Sequence, residues 1–375
     1  MNKRSSLIKK TKRCVIKIGS ALLTQNGKGL DIPAIKDWVK QLATIKNSNV
    51  EIILVSSGSV AEGMSRMGWE VRPKALHELQ AAAAIGQAGL IQTYQQSFEI
   101  HQFQTAQILL THDDFSNRQR YLNARSTLHT LLKLGAIPIV NENDTVALEE
   151  IRLGDNDTLA AMVANLIDAD LLIILTDQAG LYDKDPRESS DAKLISLDSA
   201  NNPELLDFAG SAGTAVGTGG MRTKVLAARS AARSGCTTII APGAEKNVLT
   251  RIMEGENLGT LLTADCEPLT ARKQWISHQT NVTGELTIDT GAEKAIQEKG
   301  RSLLSVGVTH VTGQFERGDV VSCINSQGAI IARGVTNYSY SECLKILGLS
   351  SHNIEEALGY VDEAELIHRN NLVIH

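Results

Sequence analysis

The chain has 375 residues, 42% hydrophobic and 21% charged, which is ordinary for a soluble globular protein and long enough for two domains. Its formal net charge of −5 gives no global basic field to draw it to nucleic acid or to an anionic membrane. Five cysteines (Cys14, Cys236, Cys266, Cys323, Cys343), odd in number and without CxxC spacing, argue against a disulfide framework or a zinc site and suit a reducing, cytoplasmic setting. With aromatics at only 4%, the cores must rest on aliphatic residues and alanine.

Residues 1–13 are basic and run straight into CVIKIG, which is too short for a secretory apolar region. No run of eighteen apolar residues exists, so no membrane-spanning helix is expected. Short Val/Ile/Leu-rich runs at 14–18, 51–55, 137–140, 171–175 and 237–241 lack strict alternation, as strands covered on both faces do. Helical patterns lie between them at 32–46, 75–95, 122–134, 158–166 and 221–234. This alternation predicts a mainly parallel α/β sheet with right-handed crossovers over 14–262. The pattern changes near Thr263. Residues 263–279 are expected to form a polar connector. Short glycine-broken β runs at 284–288, 302–304, 309–312, 320–324 and 330–334 then predict a small β-rich domain over 280–361, with 362–375 as a tail.

Ligands of a parallel α/β sheet bind beyond the carboxyl ends of its strands, so the segments that follow each strand carry the functional signal. Lys17-Ile18-Gly19-Ser20 closes the first strand, and Ser56-Ser57-Gly58-Ser59 follows the second. Each places glycine and hydroxyls at a strand-to-helix junction, where backbone N–H groups approach an anion; neither is a Walker A loop. Serine N-capping explains one such loop equally well, whereas two in succession favour an anion site. Asn141-Glu142-Asn143-Asp144 directly follows a buried strand, and Gly154-Asp155-Asn156-Asp157 precedes a helix. Turn-forming explains one polar cluster, but two favour a substrate site whose carboxylates and amides would hold the ammonium and carboxylate of an amino acid. The long charged loop from Thr176-Asp177 to Arg187 suits a nucleotide base and ribose. Gly217-Thr218-Gly219-Gly220-Met221-Arg222-Thr223-Lys224 puts three glycines and a lysine at a helix start, a phosphate-cradling arrangement.

Taken together and in order, VIKIGS, VSSGSVAEG, VNENDTVA, GDNDTLAA, LTDQAGLYDKDPR and GTGGMRTK resemble the amino acid kinase family, and within it the members that act on free glutamate. GELTIDTGA and VTGQFERGDVV resemble that group's C-terminal PUA domain. The likeness covers nearly the whole chain. Ser20 departs from the family's usual threonine but keeps the hydroxyl, and the basic extension before Cys14 is longer than usual and expected to be a flexible arm.

The resemblance implies a three-layer α/β/α sandwich with a mostly parallel central sheet, plus the small PUA-like domain. It implies ATP-dependent phosphorylation of the glutamate side-chain carboxylate, the first step of proline synthesis. Lys17 and Lys224 would flank the transferring phosphoryl group and Asp157 would orient both. Ser57, Asp144 and Asn156 would bind glutamate. Lys17, Thr176, Asp177 and the loop Thr218, Gly219, Gly220, Met221, Arg222, Thr223 and Lys224 would bind ATP. Magnesium would come on the ATP phosphates, without a protein-built metal site. Proline as feedback inhibitor, a reductase consuming the glutamyl phosphate, and a homo-oligomer (dimer or tetramer) follow from the same likeness. The alternatives are another family member, acting on acetylglutamate, aspartate, carbamate or uridine monophosphate, and RNA binding through the PUA-like domain. The segment from Thr280 onward carries 12 acidic against 7 basic residues and few aromatics, which speaks against nucleic acid.

Overall fold

The computed structural model describes residues 3–24, 29–146, 156–210, 220–265, 273, 276–277, 282–361 and 363–374. Contacts divide the chain into two units, Met1–Pro268 and Leu269–His375.

In the first unit the apolar runs form an eight-stranded sheet: β1 Arg13–Ile18, β2 Glu51–Ser56, β3 Thr105–Leu110, β4 Ile137–Glu142, β5 Leu171–Thr176, β6 Leu197–Ser199, β7 Thr237–Pro242 and β8 Thr260–Thr263. The order is β3-β4-β2-β1-β5-β7-β8-β6. The six strands from β3 to β7 are parallel, whereas β8 pairs antiparallel with β7 and carries β6 parallel to itself. β3, β6 and β8 escape a reading by apolar runs because they lie towards the sheet edges or are very short; β3 carries Gln107 exposed on its edge.

Side chains alternate across a strand, and the two faces are covered separately. Cys14, Ile16 and Ile18 of β1 share a core with Ile35, Trp38, Val39 and Leu42 of the helix Ile32–Asn47 and with Leu90, Tyr94 and Phe98 of the helix Leu76–Glu99. Val15, Ile53 and Val55 face the other way, into a core with Leu128 and Leu132 of the helix Arg118–Lys133, Val163 of the helix Asn156–Leu166 and Ala227 and Ala231 of the helix Met221–Ala232. This is the three-layer α/β/α sandwich. The helix starts follow local chemistry: Asp31 caps the first long helix by accepting from Ala34 N–H at 3.1 Å, with Pro33 in the first turn.

Residues 3–9 correct the expectation of a flexible arm. Lys3–Lys9 is a helix whose Ile8 is buried in the main core. Arg4 is buried as well, donating to Asn257 Oδ1 at 2.9 Å and to the Leu258 carbonyl. An apolar pair, Leu7-Ile8, within one basic turn is enough to dock the segment.

The second unit holds β9 Gly284–Ile288, β10 Val308–Gly313, β11 Val320–Ile324, β12 Ile330–Val335 and β13 Leu372–Ile374, in the order β10-β9-β11-β12-β13. Among the described residues of this unit, only β9 and β11 pair in parallel. Its own core gathers Leu286, Val311, Phe315, Val321, Tyr338, Ile346 and Leu366. Residues 372–374, expected as a tail outside the domain, are its fifth strand: Leu372, Val373 and Ile374 pair with Gly334, Arg333 and Ala332. The run 302–304 contributes only an isolated bridge, Leu303 to Ile367. Most of the expected connector 263–279 lies outside the described residues.

Candidate active site

The alternation of β1 decides where its one lysine goes. Lys17 shares a parity with Val15, so it faces the layer built by the helices Asn156–Leu166 and Met221–Ala232. Both helices begin beside the carboxyl end of β1 and each delivers a charged residue from its first turn. Asp157 is fully buried, while Lys17 and Lys224 are each 6% exposed. Lys17 Nζ lies 2.6 Å from Asp157 Oδ1, and Lys224 Nζ lies 2.9 Å from Asp157 Oδ2. The Thr223 hydroxyl, 2.8 Å from Asp157 Oδ2 and 2.8 Å from the Gly220 carbonyl, fixes the same carboxylate to the start of its helix. A Cβ on Gly19 would come 3.6 Å from Lys17 Nζ, so the ammonium lies over the turn that ends β1.

Burial alone would push the Asp157 carboxyl up. The charges of Lys17 and Lys224 and their hydrogen bonds outweigh it and hold the group well below the usual carboxylate range. Asp157 is therefore an anion at any physiological pH. Two ammonium groups against one carboxylate give the cluster an excess positive charge in a nearly dry place, an arrangement suited to a multiply charged anion.

The neighbouring loops bring amides and hydroxyls to the same edge. Asn156 Nδ2, with two protons to donate, lies within hydrogen-bonding distance of three acceptors: the Ser56 carbonyl (2.9 Å), Ser57 Oγ (2.9 Å) and Asn141 Oδ1 (3.0 Å). Asp144 Oδ2 accepts from the Ser59 hydroxyl at 3.0 Å, tying the loop after β4 to the helix Ser59–Arg66. Gly58 turns the chain into that helix at φ 99°, a left-handed conformation that favours glycine. Ser57 and Asn156, singled out from sequence as substrate ligands, thus share one hydrogen-bonded group, while Asp144, the third, is held separately by Ser59. Sequence reasoning missed Asn141 and Gln87 as individual members: Asn141 Nδ2 donates to Gln87 Oε1 at 2.7 Å. Asn141 had a local signal, since it opens a polar run directly after a buried strand. Gln87, in mid-helix, had none.

On the other side of β1, Thr176 ends β5 almost fully buried; its hydroxyl donates to Asp177 Oδ1 at 3.0 Å and its carbonyl accepts from Gly243 N–H at 2.7 Å. Gly220 enters the helix Met221–Ala232 in an extended conformation without a side-chain cap, and half-buried Met221 and exposed Arg222 form the helix start. The backbone N–H groups of such a first turn lack intrahelical partners and suit phosphate oxygens. Thr218 and Gly219 lie outside the described residues, as do Gly154 and Asp155. Among the described residues no helix is long and apolar enough to cross a membrane, and the four described cysteines are all buried.

Residues 12–242 match the model of the amino acid kinase family and residues 284–358 match that of the PUA domain. A protein of Thioalkalivibrio sulfidiphilus described as glutamate 5-kinase is 60% identical over 97% of each chain. Proteins with the same description from Nitrosococcus oceani (59% identical, over 100% of this chain and 99% of the relative) and Methylococcus capsulatus (57% identical, over 97% of each) are similar along their whole length. With the kinase model matched over residues 12–242, more than half of its length, this chain belongs to the amino acid kinase family.

Proposed function

We propose that the chain transfers the γ-phosphoryl group of ATP to the side-chain carboxylate of L-glutamate, forming L-glutamyl 5-phosphate, the first step of proline synthesis. The observation that carries this reading is the clasp of Lys17 and Lys224 on the two oxygens of Asp157 at the carboxyl edge of the sheet. A phosphoryl group in flight spreads charge over its equatorial oxygens, and the protein's task is to position it and stabilise that charge. Lys17 comes from a strand and Lys224 from a helix, so the two ammonium groups approach from different elements. Asp157 sets their spacing while they wait. The acceptor carboxylate is already ionised at neutral pH and needs no general base. Magnesium would be carried by the ATP phosphates and water, where it offsets phosphate charge; Asp157, engaged by both lysines, is assigned no role as its ligand.

Ser57, Asp144 and Asn156 bind glutamate in this reading. Thr176, Asp177 and residues 218–224 bind ATP. The identity of the substrate is supported by the full-length likeness to proteins described as glutamate 5-kinases. Proline as feedback inhibitor, a dimeric or tetrameric assembly, and a reductase that consumes the labile acyl phosphate complete the proposal. Trapping the acyl phosphate with hydroxylamine tests it. Glutamate should yield hydroxamate with ATP and magnesium, and Lys17→Ala should lose most of the turnover while keeping its fold by circular dichroism. Hydroxamate from aspartate or N-acetylglutamate but not glutamate would overturn it.

A further inference from the structure

The end of β2 is held from both helix layers. On one side Asn156, at the start of the helix Asn156–Leu166, places its NH2 group 2.9 Å from the Ser56 carbonyl. On the other side Tyr94, from the helix Leu76–Glu99, has its hydroxyl 3.0 Å from Ser56 Oγ, and Ser56 Oγ donates in turn to the Ser57 carbonyl at 3.2 Å. A carbonyl only accepts, and a serine hydroxyl has one proton. The Ser56 proton therefore goes to Ser57, and Tyr94 is the donor to Ser56. Tyr94 and Ser56 are both fully buried, so neither hydroxyl has solvent to turn to. The two carbonyls belong to the peptide planes on either side of the Ser57 Cα. A peptide unit is planar, so a residue's soft rotations are φ and ψ alone, and holding both flanking planes holds both. The first plane is also tied to the sheet, where Ser56 is aligned with Ile18 of β1. The second lies beyond the last residue of β2, and among the described residues Ser56 Oγ is the group that bonds its carbonyl. From that plane the chain enters Gly58 at its left-handed φ of 99°.

We propose that Tyr94 is a positioning residue for the amino-acid acceptor. By donating to Ser56 it fixes that hydroxyl and commits its proton to the Ser57 carbonyl, and the held carbonyl sets the direction in which the Ser57 side chain leaves the backbone. The inference rests on the reading that Ser57 binds glutamate. Tyr94 is fully buried and touches no ligand; it acts through Ser56. Thr176 and Asp177, assigned to ATP, follow β5, which β1 separates from β2, so the effect is confined to the amino-acid side. Removing the phenol oxygen frees Ser56 Oγ to rotate, and the plane between Ser57 and Gly58 loses its anchor.

The test is steady-state kinetics of the full chain in the hydroxamate assay, with glutamate and ATP varied separately and urea unfolding run on the same preparations. Tyr94→Phe keeps the ring in the core and should raise KM for glutamate roughly fivefold, the scale of one lost hydrogen bond. KM for ATP and kcat should stay within about twofold, a split that a merely structural role would not produce. Ser56→Ala should raise KM for glutamate at least as much, and adding Tyr94→Phe to it should change KM by less than about twofold, because Tyr94 acts only through Ser56. The double variant leaves no buried hydroxyl without a partner, so its urea midpoint should recover relative to Ser56→Ala while KM for glutamate stays high. The proposal fails if KM for glutamate is unmoved in folded Tyr94→Phe, if both KM values and kcat move together, if KM falls back as the urea midpoint recovers in the double variant, if the two substitutions multiply independently, or if Tyr94→Phe and the double variant are both unfolded. Failure of the glutamate reading itself is separate: it would show as absent glutamate turnover in the unaltered protein.

Discussion

Replacing Asp157 by asparagine keeps the shape of the side chain and removes the one charge that holds Lys17 and Lys224 together. In the native protein that carboxylate is fully buried and engaged at 2.6 and 2.9 Å by two ammonium groups that are themselves nearly buried. Without it two like charges face each other a few ångströms apart in a poorly solvated site. Breaking a buried ion pair by removing one partner costs about 3–5 kcal/mol. If the lost order falls on the transition state, at about 1.36 kcal/mol per factor of ten, turnover should drop by between roughly a hundred- and several-thousand-fold. The hydroxamate assay reads kcat, and urea unfolding of the same preparation reads stability. A folded Asp157→Asn protein with kcat within about threefold of the unaltered enzyme would refute the argument that this carboxylate organises the lysines. Loss of activity matched by loss of the urea transition would refute it too, because the residue would then serve only the fold.

The remaining expectations follow from the same geometry. Asp157 titrates well below its unfolded value, so its contribution to stability is fully present above about pH 4 and is lost as pH falls through the depressed value. The stability gap between the native protein and Asp157→Asn should thus be flat from pH 5 to 8 and narrow below about pH 4, as urea unfolding at each pH will show. Gly86→Ala would place a methyl 1.8 Å from the Ser59 carbonyl oxygen and 2.4 Å from the Gly63 nitrogen, both backbone. The helices Leu76–Glu99 and Ser59–Arg66 must then separate, at a cost of about 1–3 kcal/mol or more, with KM for glutamate rising. Ile8→Ala, in the N-terminal helix, should cost about 2–4 kcal/mol of stability and leave KM for both substrates unchanged, since the helix docks into the core and carries no site residue. Trp38→Phe, which deletes the bond from the indole N–H to the Gly243 carbonyl at 3.1 Å, should lower stability by about 1 kcal/mol.

Much of the kinase-type unit is written locally. Runs such as LLIIL at 171–175 form strands wherever they are buried, and the helix starts at Asp31 and Gly220 fall where the sequence places caps and glycine. The glycine, hydroxyl and carboxylate clusters after each strand could be read as ligand loops because parallel sheets place all such loops at one edge. The N-terminal helix could not be read, because its docking depends on a few residues, Arg4, Leu7 and Ile8, meeting partners far along the chain. Strand β13 could not be read either: LVI is too short to signal anything until β12 offers it an open edge.

The sequence by itself determined which chemical groups are available and in what order along the chain: two lysines, one aspartate, paired polar loops and a glycine-rich helix start. Only the tertiary structure decided which of them meet. β1 is buried on both faces, so its alternation puts Lys17 on the face of Val15 but does not say which helices cover that face; that follows from the order β2-β1-β5 and the layers packed on it. Gln87 lies in an alanine-rich helix whose orientation is set by the close approach of Gly86 to Ser59. Local propensity acts over a few residues, whereas Asp157 and Lys224 are joined across 67 positions and Asn156 and Ser57 across 99; such meetings are fixed by how layers pack, and packing is a property of the whole sheet.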